Sequence, residues 1–336
     1  MVSTQLQIAS EPATETALRT GEMVSAYRVE RLLGSGGMGW VYSATSVLDQ
    51  RVVALKVLRG DQLRLDRAID RMMREAAILA TIGHDGVPQF FECGLLADGR
   101  PWIAMELVEG NSLQSKLTGP LGHDDVIELV ANIADVLAAA HKRGVTHRDL
   151  KPDNILLTPG CPKFGLRVID WGIAHHFAGV RYTNLNEAIG TPTYMAPEQA
   201  RGGEPDGYCD VYGLGIVAYQ ALTGRAPFVG STPVEILVQH MNRPVPSLAP
   251  RCPDAPFGLI DLIERMLAKT PCDRPTADDV QTTLRRLHAD AAAPTYSFYS
   301  VDGADDGTAP IPRQIVDGNL TPATTLIRVA HSSNED

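Results

Sequence analysis

The stretch His147-Arg148-Asp149-Leu150-Lys151-Pro152-Asp153-Asn154 places an acid, a cation and an amide within eight residues. Asp149 can orient and deprotonate a hydroxyl group, and Lys151 can neutralise negative charge on a moving phosphoryl group. The amide oxygen of Asn154 can bind a Mg²⁺ ion. Phosphoryl transfer depends on positioning and charge compensation more than on covalent chemistry, and these residue types can supply both.

Length, composition and charge are those of an ordinary globular protein. The chain has 336 residues, of which 44% are hydrophobic and 21% charged, so it has ample material for a core and the length of about two domains. Its net charge is −10, and no run of lysine and arginine stands out. Nucleic-acid binding needs a clustered basic face, so we expect no nucleic acid as a main partner.

Cysteine usage and the absence of targeting signals indicate a reducing compartment. The five cysteines include no C-x-x-C pair, so neither a zinc site nor a disulfide framework is expected. The N-terminus lacks the basic start and the apolar core of a signal peptide. No run of ~18 apolar residues occurs, so no membrane span is expected. These features predict a cytoplasmic protein.

Sequence patterns divide the chain into a leader, a folded region and a tail. Residues 1–26 show no sustained period and predict a flexible leader. Residues 27–108 contain strand-like segments and one helix, whereas residues 109–288 carry mainly helical spacing. Residues 289–336 are rich in Ala, Pro, Asp, Gly and Thr and predict a mostly disordered acidic tail. The fold class is therefore α+β, with a small β-rich N-lobe carrying one key helix and a larger, mainly helical C-lobe.

Periodicity also gives expected bounds for the individual elements. Strands are predicted at 51–58, 88–93 and 101–107. Helices are predicted at 66–82, 124–143, 211–223, 233–241, 257–268 and 277–288.

A glycine-rich segment, Gly34-Ser35-Gly36-Gly37-Met38-Gly39, has the spacing GxGxxG. The same spacing opens dinucleotide-binding folds, but there a helix must follow the glycines. Residues 40–58 have strand character instead, and the Gly-Lys-Ser/Thr of a phosphate loop is missing. The pattern favours a hairpin that folds over a nucleotide, and an ordinary glycine-rich hairpin stays open as the alternative.

Lys56 lies in an apolar strand, where an unpaired ammonium group would be costly to bury. A carboxylate partner is therefore expected. Glu75 lies nineteen residues on, at the margin of the apolar stripe of the helix predicted at 66–82, and can face the sheet. The alternative is a solvated lysine and an unrelated glutamate at the helix edge.

Two further segments follow the octapeptide. Asp170-Trp171-Gly172 comes twenty-one residues after Asp149 and directly follows an apolar, strand-like run. Its carboxylate is the hard oxygen ligand that Mg²⁺ prefers. Residues 190–198, GTPTYMAPE, follow later in the chain.

Taken together over residues 27–288, these segments resemble the eukaryotic-like (Hanks-type) serine/threonine protein kinases, and GSGGMGWVY and APEQA resemble their bacterial members. The resemblance implies transfer of the γ-phosphate of ATP to Ser or Thr hydroxyls of proteins, with Mg²⁺ or alternatively Mn²⁺. It also implies protein substrates, autophosphorylation through a transient homodimer, and a place in cytoplasmic signalling. Lys151, and Thr191 before Pro192, match the serine/threonine class.

The resemblance carries the family's site residues onto this chain, together with an ion pair between Glu198 and Arg274 and a buried Asp210 that braces the catalytic loop. The catalytic residues so implied are Asp149, Lys151, Asn154, Lys56, Glu75 and Thr191. The metal ligands are Asn154 and Asp170. The ATP-binding residues are Leu33, Gly34, Ser35, Gly36, Gly37, Met38, Gly39, Val41, Ala54, Lys56, Met105, Glu106, Val108 and Leu156.

Two residues are candidates for regulation. Arg148 precedes the catalytic aspartate, an arrangement that the family links to activation by phosphorylation. Thr183 is the only serine or threonine between Trp171 and Gly190, so we expect autophosphorylation there, with a constitutive charge from Glu187 as the alternative. Trp171 replaces the family's phenylalanine at a ring that packs between the lobes, so it is the second candidate.

Two other functions share parts of this pattern. A nucleotide-binding pseudokinase scaffold would not need the complete set of polar residues that this chain carries. A small-molecule phosphotransferase of related fold would not need the segment over 190–198, which fits a platform for protein substrates.

Overall fold

A computed structural model describes residues 17–35, 39–60, 68–161, 164–171, 192–292, 313–316 and 319–322. The chain forms two units, Met1–Arg285 and Arg286–Asp336, each described here by itself. No helix within the described residues is long and apolar enough to cross a membrane.

The N-lobe is built on an antiparallel six-stranded sheet with the strand order β1-β2-β3-β4-β6-β5. The strands are β1 (Met23–Val24), β2 (Tyr27–Ser35), β3 (Gly39–Ser46), β4 (Val52–Leu58), β5 (Phe90–Leu95) and β6 (Pro101–Glu106). Strand β4 is buried along almost its whole length, because Val53, Leu55 and Val57 enter one apolar cluster and Leu58 enters another. Burial on both faces explains its nearly unbroken run of apolar residues.

One helix, α1 (Ala68–Ile82), packs against this sheet, as predicted. Its residues Met72 and Ala76 are buried against Leu58 of β4 and Ile103 of β6. Glu75 lies between them in sequence and is also buried, with 2% of its surface exposed. The helix therefore carries a carboxylate into the interior beside the sheet.

The described part of the predicted leader differs from the prediction. Leu18 is buried, and its backbone N–H donates to the hydroxyl of Tyr42 at 2.9 Å. Val24 is also buried, and β1 pairs with β2 through Val24 and Tyr27. Residues 17–26 thus form an edge of the N-lobe, stabilised by two isolated apolar anchors that leave no periodic pattern in the sequence.

The C-lobe is mainly helical and also contains a small three-stranded antiparallel sheet. Its strands are β7 (Asn111–Ser112), β8 (Ile155–Leu157) and β9 (Leu166–Val168). Its helices are α2 (Leu113–Lys116), α3 (His123–His141), α4 (Pro197–Ala200), α5 (Gly207–Thr223), α6 (Pro233–Asn242), α7 (Phe257–Met266) and α8 (Ala277–Ala292).

Helix α5 is the core of the C-lobe and begins four residues before its predicted start. The Asp206 carboxylate caps it by accepting from the N–H of Tyr208 at 3.0 Å, and Gly224 ends it at φ 75°. Every residue of the helix from Cys209 to Leu222 is buried except Gln220, which is half-buried. A helix without a polar face shows little amphipathic period, so its first turn was missed.

His240 on α6 is fully buried and gives the C-lobe a pH-sensitive element. Its Nδ1 lies 2.9 Å from the hydroxyl of Tyr212, and its ring packs edge-on against Phe228. Burial, together with the nearby ammonium group of Lys269, lowers the pKa of His240 to about 4. The folded protein therefore holds this imidazole neutral across most of the physiological range.

We expect the free energy of unfolding to fall as the pH drops from 6.5 to 4, because only the unfolded chain takes up the His240 proton in that window. The loss attributable to this group is roughly 3 kcal/mol, from about 1.4 kcal/mol per pH unit. Urea unfolding across this range should show a shallower pH dependence for His240→Gln, whereas His288→Gln, at an exposed histidine, should behave as wild type. Equal slopes for wild type and His240→Gln would contradict the expectation.

The region predicted as a mostly disordered tail contains described structure. Helix α8 runs to Ala292, four residues past its predicted end. Strands β10 (Arg313–Val316) and β11 (Asn319–Pro322) form an antiparallel hairpin. The prediction of a mostly disordered tail over residues 289–336 stays a prediction, because most of these residues lie outside the described part of the chain.

Candidate active site

Lys56 on β4 joins three elements through its ammonium group. Its Nζ lies 2.9 and 3.0 Å from the two carboxylate oxygens of Glu75 on α1, and 3.0 Å from Oδ1 of Asp170 after β9. Only 10% of the Lys56 side chain and 3% of the Glu75 side chain are exposed. The expected partner of the buried lysine is therefore present, and the ion pair fixes α1 against the sheet.

The charges of this group depend on one another. Burial alone would lower the pKa of Lys56, but the carboxylates of Glu75 and Asp170 outweigh it and raise that pKa. Burial raises the pKa of Glu75 in spite of the lysine, whereas the ammonium of Lys56 overcomes burial and lowers the pKa of Asp170. The lysine thus stays charged and Asp170 is held as a carboxylate at neutral pH.

The sheet presents a row of predicted ATP-binding residues on the same face as Lys56. Directly paired residues in an antiparallel sheet project to one face, and alternate residues along a strand do so too. Val41 pairs with Lys56, and Ala54 pairs with Met105. These four side chains therefore share one face, with Lys56 at one end and the start of the inter-lobe connection at the other.

Gly39 shows why a glycine ends the glycine-rich segment. A Cβ atom built there would lie 2.5 Å from the carbonyl oxygen of Val57, too close for any other residue. Gly34, by contrast, has open space at its Cβ position. The nucleotide contacts predicted for Leu33, Val108 and Leu156 stay predictions.

The catalytic loop holds one oxygen of Asp149 and leaves the other for a substrate. Lys151 Nζ donates to Asp149 Oδ2 at 2.7 Å, and the Asn154 amide donates to the same oxygen at 3.3 Å. Asp149 is the more exposed partner, at 44% of its side chain against 21% for Lys151. Oδ1 accepts no hydrogen bond from any residue that the structure describes, so it can accept a proton from an incoming hydroxyl.

Asn154 and Asp170 have the chemistry of a two-ligand Mg²⁺ site. The Nδ2 of Asn154 donates to the carbonyl of Asp149 at 2.8 Å, which leaves the amide oxygen of Asn154 for a cation. The backbone N–H of Ile169 donates to the carbonyl of Asn154 at 2.9 Å and brings Asp170 next to it. The described residues contain no cluster of three or more acidic, histidine or cysteine ligands. Two oxygen ligands suit Mg²⁺ that also binds phosphate oxygens.

Asp210 on α5 fixes the backbone of the catalytic loop. It is fully buried and accepts from the N–H groups of His147 at 2.8 Å and Arg148 at 2.7 Å. The ring nitrogen Nε2 of His141 lies 2.9 Å from the same carboxylate. Burial would raise the pKa of Asp210, but these bonds, led by His141, lower it. The bracing role implied for Asp210 is confirmed, and sequence analysis missed His141 as its partner.

Glu198 and Arg274 form the implied ion pair between α4 and the segment that precedes α8. Both guanidinium ends donate to the carboxylate, at 2.7 and 2.8 Å, and the arginine side chain is fully buried. A bidentate pair of this kind holds α4 in a fixed orientation.

Trp171 is completely buried beside the catalytic loop. Its indole N–H donates to the carbonyl of Val168 at 2.8 Å, and its ring centre lies 4.8 Å from that of His147. His147 in turn contacts the carbonyl of Ile169 through Nε2 at 2.9 Å. A phenylalanine could not make the indole bond, so the tryptophan adds a hydrogen bond to this packing.

Trp171→Phe is expected to lower the free energy of unfolding by about 1–3 kcal/mol, because it removes a buried donor and part of a buried ring. Chemical denaturation of the full chain measures this. An unchanged unfolding free energy would mean that the indole bond to Val168 contributes nothing to stability.

Sequence analysis missed a further ion pair, between the buried Arg167 and the half-buried Glu106. Arg167 on β9 donates to Glu106 at the end of β6 at 3.0 Å, and the N–H of Gln89 donates to the same carboxylate at 3.1 Å. The Glu106 side chain therefore points to β9, and its backbone N–H donates to the carbonyl of Gln89 at 2.8 Å. The contact predicted between Glu106 and a nucleotide stays a prediction. An arginine within an apolar run carries the same signal that identified Lys56, and it could have been found by the same reasoning.

Several predicted residues lie outside the described part of the chain. They are Gly36, Gly37 and Met38 of the glycine-rich segment, the catalytic candidate Thr191 and the regulatory candidate Thr183.

Comparison with known proteins agrees with this geometry. The family model described as protein kinase domain matches residues 27–284. Serine/threonine-protein kinase pkn3 of Myxococcus xanthus is 39% identical over 261 residues, which cover 75% of this chain and 48% of that protein. Serine/threonine-protein kinase PrkC of Bacillus subtilis is 35% identical over 269 residues, covering 79% of this chain and 41% of that protein.

A solved structure extends the likeness to the fold. The crystal structure of the Mycobacterium tuberculosis PknI kinase domain superposes with a TM-score of 0.62 at 27% identity, covering 81% of this chain and 99% of that one. The chain spans about half the length of the curated relatives it matches. With the Lys56–Glu75 pair, the braced catalytic loop and a family match over most of its length, the chain belongs to the protein kinase family, and its relatives are bacterial serine/threonine-protein kinases.

Proposed function

We propose that this chain is a serine/threonine protein kinase that transfers the γ-phosphate of ATP to hydroxyl groups of proteins. The observation that carries the proposal is the continuous set of contacts from Glu75 through Lys56 to Asp170. It brings a phosphate-binding cation and a metal-binding carboxylate together beside the catalytic aspartate, Asp149, on a loop that Asp210 fixes. Such preorganised charge is the main protein contribution to phosphoryl transfer.

Each polar residue then has one task. Asp149 orients the acceptor hydroxyl through its free oxygen and accepts its proton, while Lys151 lies 2.7 Å from the other oxygen and is placed to offset phosphate charge. Lys56 holds the phosphates of ATP. Asn154 and Asp170 would hold Mg²⁺, which neutralises phosphate charge when bound.

The acceptor is expected to be a serine or threonine side chain of a protein. Lys151 matches the serine/threonine class, and the named relatives are serine/threonine-protein kinases. A nucleotide-binding scaffold without activity is the second candidate, but it leaves Asp149, Asn154 and Asp170 without a reason to be arranged as they are.

The direct test is incubation of the purified full chain with γ-labelled ATP, Mg²⁺ and a generic basic protein. We expect acid-stable phosphoserine or phosphothreonine on the protein, and autophosphorylation of the chain in the same reaction. Omission of Mg²⁺ with chelation should abolish both. ATP binding without any transfer would favour the scaffold, and phosphotyrosine as the only product would contradict the acceptor class.

A further inference from the structure

The peptide that joins Arg148 to Asp149 is held in an uncommon conformation. Arg148 has φ 72°, in the left-handed region that non-glycine residues rarely adopt. Such a residue persists when its surroundings fix it on several sides. Asp210 fixes the N–H of Arg148 on one side, so a second contact is needed to fix the peptide that follows.

That second contact comes from Gln199 on α4. Its Nε2 donates to the carbonyl of Arg148 at 2.8 Å, across fifty-one residues of sequence. On the other side of the same peptide, the N–H of Asp149 donates to Nδ1 of His147 at 3.3 Å. The oxygen and the N–H of this peptide therefore both have partners, and its plane cannot rotate without breaking one of them.

The amide of Gln199 is itself held in one orientation. Its Oε1 accepts from the N–H of Ala196 at 3.0 Å, while Nε2 serves Arg148. Exchanging the two ends would set an oxygen against a carbonyl and an NH₂ against an N–H, so only this orientation satisfies both contacts. The neighbouring Glu198 is locked to Arg274, which fixes the helix that carries Gln199.

We propose that Gln199 is a positioning residue that sets the direction of the Asp149 carboxylate. It does so by holding the Arg148–Asp149 peptide, and it thereby couples the order of the 192–200 segment to the catalytic loop. The inference rests on the proposed kinase function and adds a residue to its machinery. A small misplacement of a reacting group lowers turnover without preventing substrate from binding.

Gln199→Glu keeps one of the two hydrogen bonds of the Gln199 side chain and removes the other. The carboxylate keeps an acceptor for the N–H of Ala196, so the local fold is retained, but it cannot donate to the carbonyl of Arg148 when ionised. We expect kcat to fall about 10- to 100-fold at pH 8, with KM for ATP unchanged. A loss of kcat at unchanged KM for ATP is the signature of a positioning residue, because a general loss of folded protein would not leave the bound nucleotide's affinity intact.

Gln281→Glu is the matched control. Gln281 is also partly buried and bridges two helices through its Nε2, which donates to Asp135 at 3.0 Å far along the chain from the catalytic loop. The Gln281→Glu variant loses the same kind of hydrogen bond, and its kcat is expected to equal that of wild type at every pH. Gln199→Met, which removes both bonds at similar volume, provides a second variant if Gln199→Glu does not fold.

The outcomes are distinct. An inactive wild-type chain would overturn the proposed function itself. An active wild type with normal kcat in a folded Gln199→Glu or Gln199→Met variant would overturn only the role of Gln199. So would a change confined to KM for the protein substrate, or an equal loss of kcat in Gln281→Glu. A loss of kcat with unchanged KM for ATP, seen only at Gln199, is the expected result.

Discussion

Asp149→Asn is expected to lower phosphoryl transfer by about 10²- to 10⁴-fold, the usual contribution of a general base. Asparagine keeps the shape of the side chain and an oxygen for Lys151, but it cannot accept a proton from the acceptor hydroxyl. Lys56 and Asp170 are untouched, so ATP binding should be retained. Initial rates with a protein substrate and a separate nucleotide-binding titration measure the two properties independently.

Asp254→Asn is a suitable control, because Asp254 is an exposed carboxylate in the loop before α7. The same change of charge there should alter neither rate nor binding. If Asp149→Asn retained wild-type turnover, Asp149 would not be the base. If it lost nucleotide binding as well, the variant would report a disturbed loop rather than lost proton transfer.

The contacts of this site that could be predicted from the sequence are those in which a buried charged residue requires a partner of opposite charge. A lysine inside the apolar strand β4 requires a carboxylate, and Glu75 lies on the only helix predicted in that lobe. The same logic applies to Arg167, whose partner Glu106 was nevertheless missed, because Glu106 had been considered only as an ATP-binding residue. The lobe order and most element bounds follow from periodicity alone.

Other features left no signal of that kind. Leu18 stabilises the edge of the N-lobe through a single buried side chain and one bond to Tyr42. Gln199 contacts Arg148 across fifty-one residues, and a glutamine after Glu198 looks like any helix surface residue until the fold brings it to the catalytic loop. These contacts depend on tertiary geometry and have no local sequence pattern, so only the structure could identify them.

Lys56→Met is the second change with a large expected effect. Loss of a preorganised cation on the phosphates should lower kcat/KM by about 10²- to 10³-fold. Glu75 touches Lys56 with both oxygens and acts on the reaction only through it, so Glu75→Met should also lower activity. The double variant should then be no less active than Lys56→Met alone. Additive losses would instead assign Glu75 a separate role. The exposed Lys116→Met serves as the control for the lysine change.

Lys56→Met, Glu75→Met and the double variant should rank differently in stability than in activity. Lys56→Met leaves the Glu75 carboxylate buried without its cation, and breaking a buried pair on one side costs about 3–5 kcal/mol. Replacing both partners by apolar side chains of similar volume removes that penalty, so the double variant should unfold at higher denaturant than Lys56→Met. A double variant that is more stable yet still inactive would mean that this ion pair is retained for phosphate binding rather than for folding. A double variant less stable than either single one would contradict that conclusion.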